Sequence, residues 1–489
     1  MAQETTLFIY LRLGSSHRAI LRSELFPTLR SNPNLRLVII SPLGDEAYLR
    51  GEFQSGNVFV ERLPKTRADG LERKLKKLKN YIWLSHNPPQ TFRIRRERTR
   101  RGRLSGRLRV LWEESVAAFM SVLGITEKRV GGWEIALFRR RRIARLFDRY
   151  RPDAVLFTKL HSTNIHVVKE AKKRNVETVC FVEGWDNPTS KGPFSVEPDH
   201  ILVWNDCMKR EIVEHHGFPA EKIDVVGVPQ FDFYYDRSKF CGREEYFRKH
   251  GFDPARKLIA YCVAGGTIAR TEPLIVDMLY RAMMEGQVKS PAQLLVRLHP
   301  TTHGDYLKQF DRFKGLPHLI LQPAGRVAKI QDGWDPSRDD MTRLAETMIH
   351  SNVVVNVQST ISLDAIAFDT PVIGIAFEGD GPHDYLDSYR RYYDYTHFNP
   401  VLRNGGLRLA GSLAELIEHV NRYLDDPSLD AEGRARVRKE QMYALDGKSA
   451  RRAGEAVLKA IGLRPGGAEA QRGADLGSAP AKLESPSEA

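Results

Sequence analysis

The sequence has few cysteines and no long apolar run, and both absences narrow the class of protein. The 489 residues include four cysteines, at positions 180, 207, 241 and 262, with no Cys-x-x-Cys pair. This spacing argues against a disulfide scaffold or a zinc ribbon and fits a reducing cytosol. No stretch of about 18 apolar residues occurs, so a transmembrane helix is not expected. An acidic residue and Arg12 around the first apolar run also make a poor signal peptide.

Motifs of several common enzyme classes are missing as well. Gly447-Lys448-Ser449 lacks the first glycine of a P-loop, because Met442 occupies that position. There is no Gly-x-Ser-x-Gly nucleophile motif and no His/Cys cluster with zinc-ligand spacing. The Asp-x-Asp pattern of metal-dependent, single-domain glycosyltransferases is also absent. We therefore expect neither a resident cofactor nor a catalytic metal.

Basic residues exceed acidic ones, but the excess is confined to one segment. The formal net charge of +14 raises the possibility of nucleic-acid binding. Residues 65–145 contain 23 lysines and arginines against 7 aspartates and glutamates, and the rest of the chain is close to neutral. This segment has helical patterns with a basic face, so we interpret it as a helical insertion.

Runs of β-branched and aromatic residues alternate with helical patterns along most of the chain. Such alternation predicts parallel sheets with helices on both faces. We therefore predict an α/β fold with two doubly wound, Rossmann-like domains that face each other across a cleft. The first series of predicted strands covers Thr5–Arg12, Leu35–Ser41, Val58–Leu63, Ala154–Thr158, Glu177–Val182, His200–Trp204 and Ile223–Val226. The second series covers Leu258–Val263, Gln293–Leu298, His318–Leu321, Asn352–Val357 and Thr370–Ala376.

These two series divide the chain. Residues 1–235 form the predicted N-terminal domain, with the basic insertion at 65–145, and residues 236–445 form the C-terminal domain. A C-terminal helix is predicted within 446–464, and residues 465–489, rich in Gly, Ala and Ser, are predicted to be disordered. Doubly wound domains bind ligands beyond the carboxyl ends of their strands. We therefore expect the site in the cleft.

Two strand ends of the C-terminal domain suit a phosphorylated ligand. Gly265, Gly266 and Thr267 follow the first strand and precede a helix, so their backbone can approach a phosphate, although any α/β protein needs such a turn. Arg297 and His299 alternate along the next strand and are expected to share a face toward the cleft. They can neutralise a diphosphate or polarise a leaving group; the alternative is an ordinary polar pair.

A third strand end adds hydroxyl groups. Gln358, Ser359 and Thr360 follow a very apolar strand, and Ser359 and Thr360 can cap the next helix while presenting hydroxyls to an anion. Asp364 lies about one turn further on, where it can reach a ribose. The alternative is a plain helix cap with an acidic first turn. The position beside the other two strand ends favours ligand binding.

The N-terminal domain offers candidate bases. Glu183 and Asp186 flank Trp185 at a strand end, and a carboxylate beside an apolar ring can have a raised pKa. His17 at the end of the first strand is a third candidate base, or else an ordinary residue at a helix start. The neighbouring polar residues expected to contact an acceptor are Ser15, Ser16, Asn187, Thr189 and Lys191.

The order of three short motifs resembles that of a known family. Gly227 to Asp232 reads Gly-x-Pro-x-x-Asp, Arg297 to Pro300 reads Arg-x-His-Pro, and Ser359-Thr360 precedes Asp364. Together, over about residues 153–377, they resemble two-domain GT-B glycosyltransferases. The similarity is strongest to the CDP-glycerol glycerophosphotransferase and surface-polysaccharide branch. The basic segment has no counterpart in that pattern.

One loop departs from the family. The glycerophosphotransferases carry His-Gly-Thr-Pro-x-Lys, whereas residues 184–191 here read Gly-Trp-Asp-Asn-Pro-Thr-Ser-Lys. The missing histidine favours a sugar donor and a carboxylate base over a polyol-phosphate substrate. By the resemblance, His299, Ser359 and Thr360 would contact the donor diphosphate. Alanine at Arg297 or His299 is then expected to reduce donor turnover.

The resemblance implies a metal-independent glycosyltransferase that moves a sugar from a nucleotide-sugar to a cell-envelope or surface-glycan acceptor. The alternatives are a CDP-glycerol-type polyol-phosphate transferase and a non-hydrolysing UDP-sugar 2-epimerase. A nucleic-acid-binding protein is the alternative from another class, and two complete α/β domains argue against it.

The basic segment then has an expected partner. We expect a cytoplasmic enzyme that docks residues 65–145 on the anionic inner face of the membrane and meets a lipid-linked acceptor there. Trp83, Phe92, Leu111 and Trp112 are the residues expected to insert at the interface. The alternative is that the basic segment is a solvated helical face.

Overall fold

The computed structural model describes residues 4–464 apart from positions 267, 301, 303, 324, 328–333 and 336. The predicted phosphate contact of Thr267 and the predicted disorder of residues 465–489 therefore lie outside the described residues. Two parallel sheets with helices packed on them make up most of the described chain. The predicted α/β class is confirmed.

The first sheet lies in the N-terminal half. Its strands are β1 Thr5–Tyr10, β2 Leu35–Ser41, β3 Val58–Arg62, β4 Ala154–Phe157, β5 Glu177–Phe181, β6 His200–Val203 and β7 Ile223–Val225. They are parallel and run in the order β3-β2-β1-β4-β5-β6-β7. Helices cover both faces, which is why β1 and β4 read as continuous apolar runs and are almost wholly buried.

The second sheet is built by the C-terminal half. This half of the chain contains the strands β8 Lys257–Cys262, β9 Ala292–Arg297, β10 Leu319–Gln322, β11 Arg326–Val327, β12 Trp334–Asp335, β13 Val353–Asn356, β14 Val372–Ile375 and β15 Arg408–Ala410. β11 and β12 pair antiparallel as a separate ribbon. The other six are parallel in the order β10-β9-β8-β13-β14-β15. Strand order therefore reverses between β8 and β13, where a doubly wound sheet binds its ligand.

Helices occupy the connections. The N-terminal half contains α1 Gly14–Ser16, α2 Leu25–Arg30, α3 Ala47–Phe53, α4 Gly70–His86, α5 Gln90–Arg101, α6 Leu104–Val122, α7 Glu127–Leu137, α8 Arg141–Tyr150, α9 His166–Lys173, α10 Asn187–Ser190, α11 Asp206–His216 and α12 Asp232–Tyr235. The C-terminal half contains α13 Arg243–His250, α14 Glu272–Met284, α15 Gly304–Lys308, α16 Arg338–His350, α17 Ile361–Ala367, α18 Asn399–Arg403, α19 Leu413–Asp425, α20 Ala431–Gln441 and α21 Ser449–Ala460. Among the described residues, none of these helices is long and apolar enough to cross a bilayer.

Helices α4 to α7 form the basic insertion. Asp69 and Glu72 start α4 with a capping box. Trp83 is 4% exposed and donates from Nε1 to the His215 carbonyl at 2.6 Å, and Phe92 packs edge-on against it at 5.0 Å. The expectation that Trp83 inserts into a membrane is therefore wrong, because its ring joins the insertion to α11. Phe92 is half-buried, and its membrane contact stays a prediction. Trp112, in contrast, is 65% exposed.

The last helix returns to the N-terminal half. The carboxylate of Asp232 accepts hydrogen bonds from the amides of Ser449 (3.0 Å) and Ala450 (2.6 Å), which caps α21. A side chain on Gly227 would clash with Ser449, since its Cβ would lie 2.4 Å from Oγ. The Gly-x-Pro-x-x-Asp turn thus holds α21 against the first domain.

Candidate active site

The turns after β8 and β13 emerge side by side. Cys262 at the end of β8 pairs in register with Asn356 at the end of β13. The glycine turn after β8 and the polar turn after β13 therefore begin at the same edge of the second sheet. This is the edge at which the sequence predicts phosphate binding.

A cavity of roughly 350 Å³ lies between this edge and the first domain. The two domains and the insertion all contribute to its wall. Six of the predicted site residues line it: Asp186, Lys191, His299, Gln358, Ser359 and Thr360. Arg95, Trp185, Tyr392, Tyr395 and His397 line it too, and the sequence did not indicate them as site residues.

The glycine turn is occupied by a protein carboxylate. Glu272, fully buried at the start of α14, accepts hydrogen bonds from the Ala264 amide at 2.9 and 3.1 Å. Burial raises the pKa of Glu272 to about 8, against the opposing effects of the Ala264 amide and Tyr306. Gly265 has a φ of +94°, and a Cβ on Gly266 would lie 2.7 Å from the Tyr306 ring. The glycines are thus required for packing here, and Ala264 borders the cavity instead.

The sequence predicts that Arg297 and His299 share a face toward the cleft, but in the structure only His299 lines the cavity. Strand β9 ends at Arg297, so the alternation of side chains does not continue to His299. Arg297 is 8% exposed, and its guanidinium donates to the side-chain carbonyl of Gln322 at the end of β10. Burial lowers the pKa of Arg297. His299 lines the cavity, and burial lowers its pKa to about 4, so its imidazole is neutral at pH 7.

The turn after β13 joins the two domains. The Trp185 indole donates from Nε1 to Thr360 Oγ1 at 3.2 Å, and Ser359 Oγ accepts from the Ile361 amide at 3.3 Å. Gln358, Ser359 and Thr360 therefore line the cavity at the N-terminus of α17, and their contact with a donor stays a prediction.

Asp364 has a different environment from the predicted ribose site. It is 3% exposed and accepts from the Tyr234 hydroxyl at 2.5 Å, with Arg18 at 3.8 Å. Burial raises the pKa of Asp364, and Arg18 and Tyr234 oppose the increase. Asp364 is thus an interdomain contact in this structure and is not part of the cavity wall.

Asp186 is the candidate base that borders the cavity. Its Oδ2 accepts from Ser190 Oγ at 2.7 Å and lies 2.8 Å from Lys191 Nζ. Burial raises the pKa of Asp186, but Lys191, His397 and Ser190 together outweigh burial and hold the pKa below its usual range. The expected rise beside Trp185 is therefore wrong, because these three partners lower the pKa by more than burial raises it.

Glu183 and His17 lie behind the cavity wall. Glu183 is 8% exposed and accepts from Ser15 Oγ at 3.2 Å and Ser16 Oγ at 2.6 Å, and it also pairs with Lys159. His17 is fully buried, with Nε2 3.0 Å from Ser41 Oγ. Ser15 and Ser16 join the turn after β1 to Glu183 at the end of β5, whereas His17 contacts the end of β2. None of these four predicted residues lines the cavity as expected.

Two further predicted acceptor contacts are buried. Asn187 is 4% exposed, and its backbone N–H donates to the Gly184 carbonyl at 3.0 Å. Thr189 is fully buried, and its hydroxyl has no hydrogen-bond partner among the described residues. Both shape α10, which places Ser190 and Lys191 at the cavity.

His397 is the buried imidazole of the cavity. Its ring packs edge-on against Trp185 at 5.2 Å, and its Nε2 lies 2.8 Å from the side-chain nitrogen of Gln358. Burial lowers the pKa of His397 to about 4, although Asp186 opposes the decrease. With Gln358 donating to Nε2, the neutral ring carries its proton on Nδ1. That atom has no hydrogen-bond partner among the described residues.

Solved structures with the same arrangement cover nearly the whole chain. MnaA of S. aureus bound to UDP has a TM-score of 0.56 at 11% identity and covers 94% of this chain and 97% of its own. UDP-GlcNAc 2-epimerase from Neisseria meningitidis, bound to UDP-GlcNAc, has a TM-score of 0.52 at 11% identity over 93% and 100%. A glycosyltransferase from Rickettsia africae has a TM-score of 0.51 at 11% identity over 93% and 99%. The chain has the GT-B fold. At this identity the likeness establishes the fold alone.

Similarity in sequence covers less of the chain than similarity in structure does. No family model matches the chain. The teichoic acid poly(ribitol-phosphate) polymerase of Bacillus spizizenii is 20% identical over 216 residues. That match covers 41% of this chain and 29% of the polymerase, so the chain spans less than a third of the relative's length.

The residues that the sequence did not indicate reach the GT-B cleft through tertiary contacts. His397 lies between β14 and α18, outside the predicted strand ends. The only local feature that could have indicated it is that it is a polar residue in a run rich in aromatic residues. Arg95 is one of six arginines on α5 between positions 93 and 101, and no local feature of the sequence separates it from the others. Within the described part of the chain, no group of three or more His, Cys, Asp or Glu side chains is placed to hold a metal ion. The expected independence from metals stays a prediction.

The two sides of the GT-B cleft carry different groups: neutral hydrogen-bond donors on one side and an ion pair on the other. The second domain supplies the neutral imidazole of His299 and the hydroxyls of Ser359 and Thr360. The first domain supplies the Asp186 carboxylate and the Lys191 ammonium. Hydrogen-bond donors on one side and a carboxylate on the other can stabilise a leaving anion and accept a proton.

Proposed function

We propose that the protein is a glycosyltransferase that moves a sugar from a nucleotide-sugar to a cell-envelope or surface-glycan acceptor. The observation that carries this proposal is the interdomain cavity, where His299, Ser359 and Thr360 of one domain face Asp186 of the other. The partial similarity to a teichoic acid polymerase supports an envelope polymer as the acceptor. UDP and UDP-GlcNAc bound to proteins of this fold support a nucleotide-sugar donor.

In this proposal the second domain binds the donor diphosphate. Negative charge develops on that diphosphate as the sugar–oxygen bond breaks. The His299 N–H and the hydroxyls of Ser359 and Thr360 stabilise it by hydrogen bonds at the N-terminus of α17. Because His299 is neutral, it acts as a hydrogen-bond donor and not as a cation.

Asp186 receives the proton of the acceptor hydroxyl. Its lowered pKa keeps it ionised throughout the physiological range but makes it a weak base. The proton therefore transfers late, as the acceptor oxygen gains positive charge by bonding to the sugar. Lys191 orients the carboxylate through their ion pair.

Two other reactions fit the same fold, and each has its own support. UDP-GlcNAc 2-epimerases among the similar structures favour interconversion of a nucleotide-sugar without an acceptor. The partial similarity to a poly(ribitol-phosphate) polymerase favours a polyol-phosphate transferase. We place the glycosyltransferase first because Asp186 occupies the loop in which the glycerophosphotransferases carry a histidine.

A panel of nucleotide diphosphates and nucleotide-sugars is expected to identify the donor. One nucleotide among UDP, GDP and CDP should raise the midpoint temperature of thermal unfolding of the protein, because a ligand at 100 times its Kd stabilises the native state by about 2.7 kcal/mol. Thermal shift and isothermal titration measure this, with free ribose and inorganic phosphate as controls. Product analysis of the bound nucleotide-sugar without an acceptor then separates the epimerase, which would change the sugar. If no UDP, GDP or CDP compound of the panel binds, the proposed function is wrong.

We also propose that α6 docks the enzyme on an anionic membrane. Its exposed apolar side chains repeat at helical spacing and form one row, 56–84% exposed: Leu104, Leu108, Leu111, Trp112, Phe119 and Val122. Arg103, Arg107 and Arg109 lie beside the row. An apolar row with basic flanks suits an in-plane helix at a lipid interface, and this position would bring the cleft close to a lipid-linked acceptor at the cytoplasmic face.

The double variant Leu108→Glu/Trp112→Glu is expected to lose membrane binding. Two buried carboxylates would oppose insertion and also repel anionic lipid, so the fraction that floats with phosphatidylglycerol vesicles should fall at least tenfold. Val213→Glu/Met284→Glu is the matched control, because both residues are exposed and apolar but lie outside the insertion. Equal flotation of the wild type and the Leu108/Trp112 variant would exclude α6 as the docking helix.

A further inference from the structure

We propose that Arg95, Lys191 and His397 form a subsite for a phosphate group of the acceptor, and that the basic insertion builds part of this subsite. The inference rests on the proposed transferase function, because it assigns the second anionic group in the same cleft. All three residues line the interdomain cavity. No sequence motif had marked Arg95 or His397.

Arg95 is held in place from several sides. Its Nη1 donates to the Ser190 carbonyl at 2.7 Å, and its guanidinium lies over the rings of Phe92 at 5.4 Å and Tyr395 at 5.1 Å. A guanidinium fixed by a carbonyl and two rings is preorganised, so little rotamer entropy is lost when a ligand binds. Its remaining N–H groups suit the oxygens of a phosphate.

The helix that carries Arg95 spans the cleft. On the second domain, the Thr91 hydroxyl accepts from the Thr396 amide at 3.1 Å, and Arg98 pairs with Asp387 at 2.8 Å. On the first domain, Arg95 holds the Ser190 carbonyl. Helix α5 is therefore fixed to both walls, and it contributes Arg95 to the wall of the cavity.

The other two groups come from opposite walls. Lys191 extends from the first domain, with its side chain 49% exposed and paired with Asp186. His397 is 4% exposed on the second domain, with an Nδ1 that has no partner among the described residues. In the proposed subsite, this Nδ1–H donates to a phosphate oxygen. A buried polar nitrogen without a partner is costly, and a bound ligand removes that cost.

The charges favour an anion on the acceptor side. Arg95 and Lys191 carry two positive charges against the single carboxylate of Asp186, and His299 and His397 are neutral. The donor diphosphate is assigned to the edge formed by His299, Ser359 and Thr360. Arg95 and Lys191 are both anchored to the loop of the first domain that holds Asp186. They therefore face the group that brings the attacking hydroxyl.

Two kinds of acceptor present the same phosphate chemistry. One is a lipid-linked diphosphate, and the other is a polyol-phosphate chain. The test uses farnesyl diphosphate for the first and ribitol 5-phosphate for the second, titrated into protein saturated with the nucleotide diphosphate that it binds. A parallel titration uses the free protein, so the subsite is tested even if no nucleotide binds.

Arg95→Ala is expected to weaken the binding of one of these probes at least tenfold while the Kd of the nucleotide stays within twofold. His397→Leu should act in the same direction, and His397→Asn should recover part of the loss because its amide can donate in place of Nδ1–H. Arg93→Ala is the control: it removes the same charge from the same helix, but its guanidinium contacts Pro88 and Asn87 outside the cavity.

Three results would overturn the subsite. The first is equal probe binding by the wild type and Arg95→Ala, and the second is a lack of binding of either probe to the wild type. The third is an equal loss of nucleotide binding in Arg95→Ala, which would assign Arg95 to the donor. Failure of the proposed function has a different signature, since no nucleotide would then bind to the wild-type protein.

Discussion

Replacing His299 with alanine is expected to lower the turnover number about 100- to 1000-fold, the usual cost of removing one donor to a developing anion. The change removes the imidazole N–H that we assign to the leaving diphosphate. The KM for the donor should change less, because the interaction strengthens as charge develops. Steady-state kinetics with the nucleotide-sugar identified by the binding panel measures both quantities.

The dependence on pH adds a second readout to this prediction. Burial holds the pKa of His299 at about 4, so its ring is neutral from about pH 5 upward and the wild-type rate should show no His299 titration between pH 6 and 8. A cationic role would instead give a fall in rate as the pH rises through that range. Such a fall, absent in His299→Ala, would contradict the assignment of a neutral donor.

Arg297→Ala serves as the contrasting variant. Because Arg297 is buried against Gln322, its loss should lower the unfolding midpoint, while any residual folded enzyme keeps its turnover number. His299→Ala should have nearly the wild-type midpoint. If His299→Ala is as destabilised as Arg297→Ala, its loss of activity reflects folding and our assignment is wrong.

The sequence predicts the fold because the fold depends on local patterns. Both faces of the parallel strands are covered, so strands such as β8 and β13 are continuous apolar runs that can be recognised without knowing their neighbours. The residues after them, Ala264 and Gln358, then meet at one edge because parallel strands end together. The location of the site therefore follows from the order of elements.

The contacts within the site involve residues that are distant in sequence, so local sequence patterns do not predict them. Alternation predicts that Arg297 and His299 share a face, but the strand ends between them. Burial beside Trp185 predicts a raised pKa for Asp186, but Lys191 and His397 reverse the direction. His397 lies 211 positions from Asp186, so only the packed structure brings the two together.

The insertion shows the same limit in another form. Its charge pattern predicts a solvated basic face, and the exposed row on α6 agrees with a surface role. The pattern does not reveal the buried ion pairs beneath it. Lys79 of α4 and Lys169 of α9 both contact Glu134 of α7, at 2.5 and 2.6 Å, and Lys169 also contacts Glu72 at 2.6 Å. These side chains are at most 6% exposed.

Glu134→Gln is therefore expected to destabilise the protein by about 3–5 kcal/mol, the range found when one partner of a buried ion pair is removed. The glutamine leaves the ammonium of Lys79 without a countercharge, and burial already lowers the pKa of that ammonium despite the opposing effect of Glu134. Urea unfolding followed by tryptophan fluorescence measures the loss, and hydrogen exchange in α4 and α7 locates it.

Glu97→Gln provides the matched control for the Glu134 variant. Glu97 is also in the insertion and also pairs with arginines, but its side chain is 37% exposed, so its loss should cost less than about 1 kcal/mol. Lys79→Met/Glu134→Met should recover part of the stability, because it removes both charges of the pair and keeps the volume apolar. Equal midpoints for Glu134→Gln and Glu97→Gln would mean that the ion pairs do not anchor the insertion. In that case the contacts of α5 with Ser190, Thr396 and Asp387 would hold it across the cleft without the buried ion pairs, and the Glu134 variant would keep the Arg95 subsite intact.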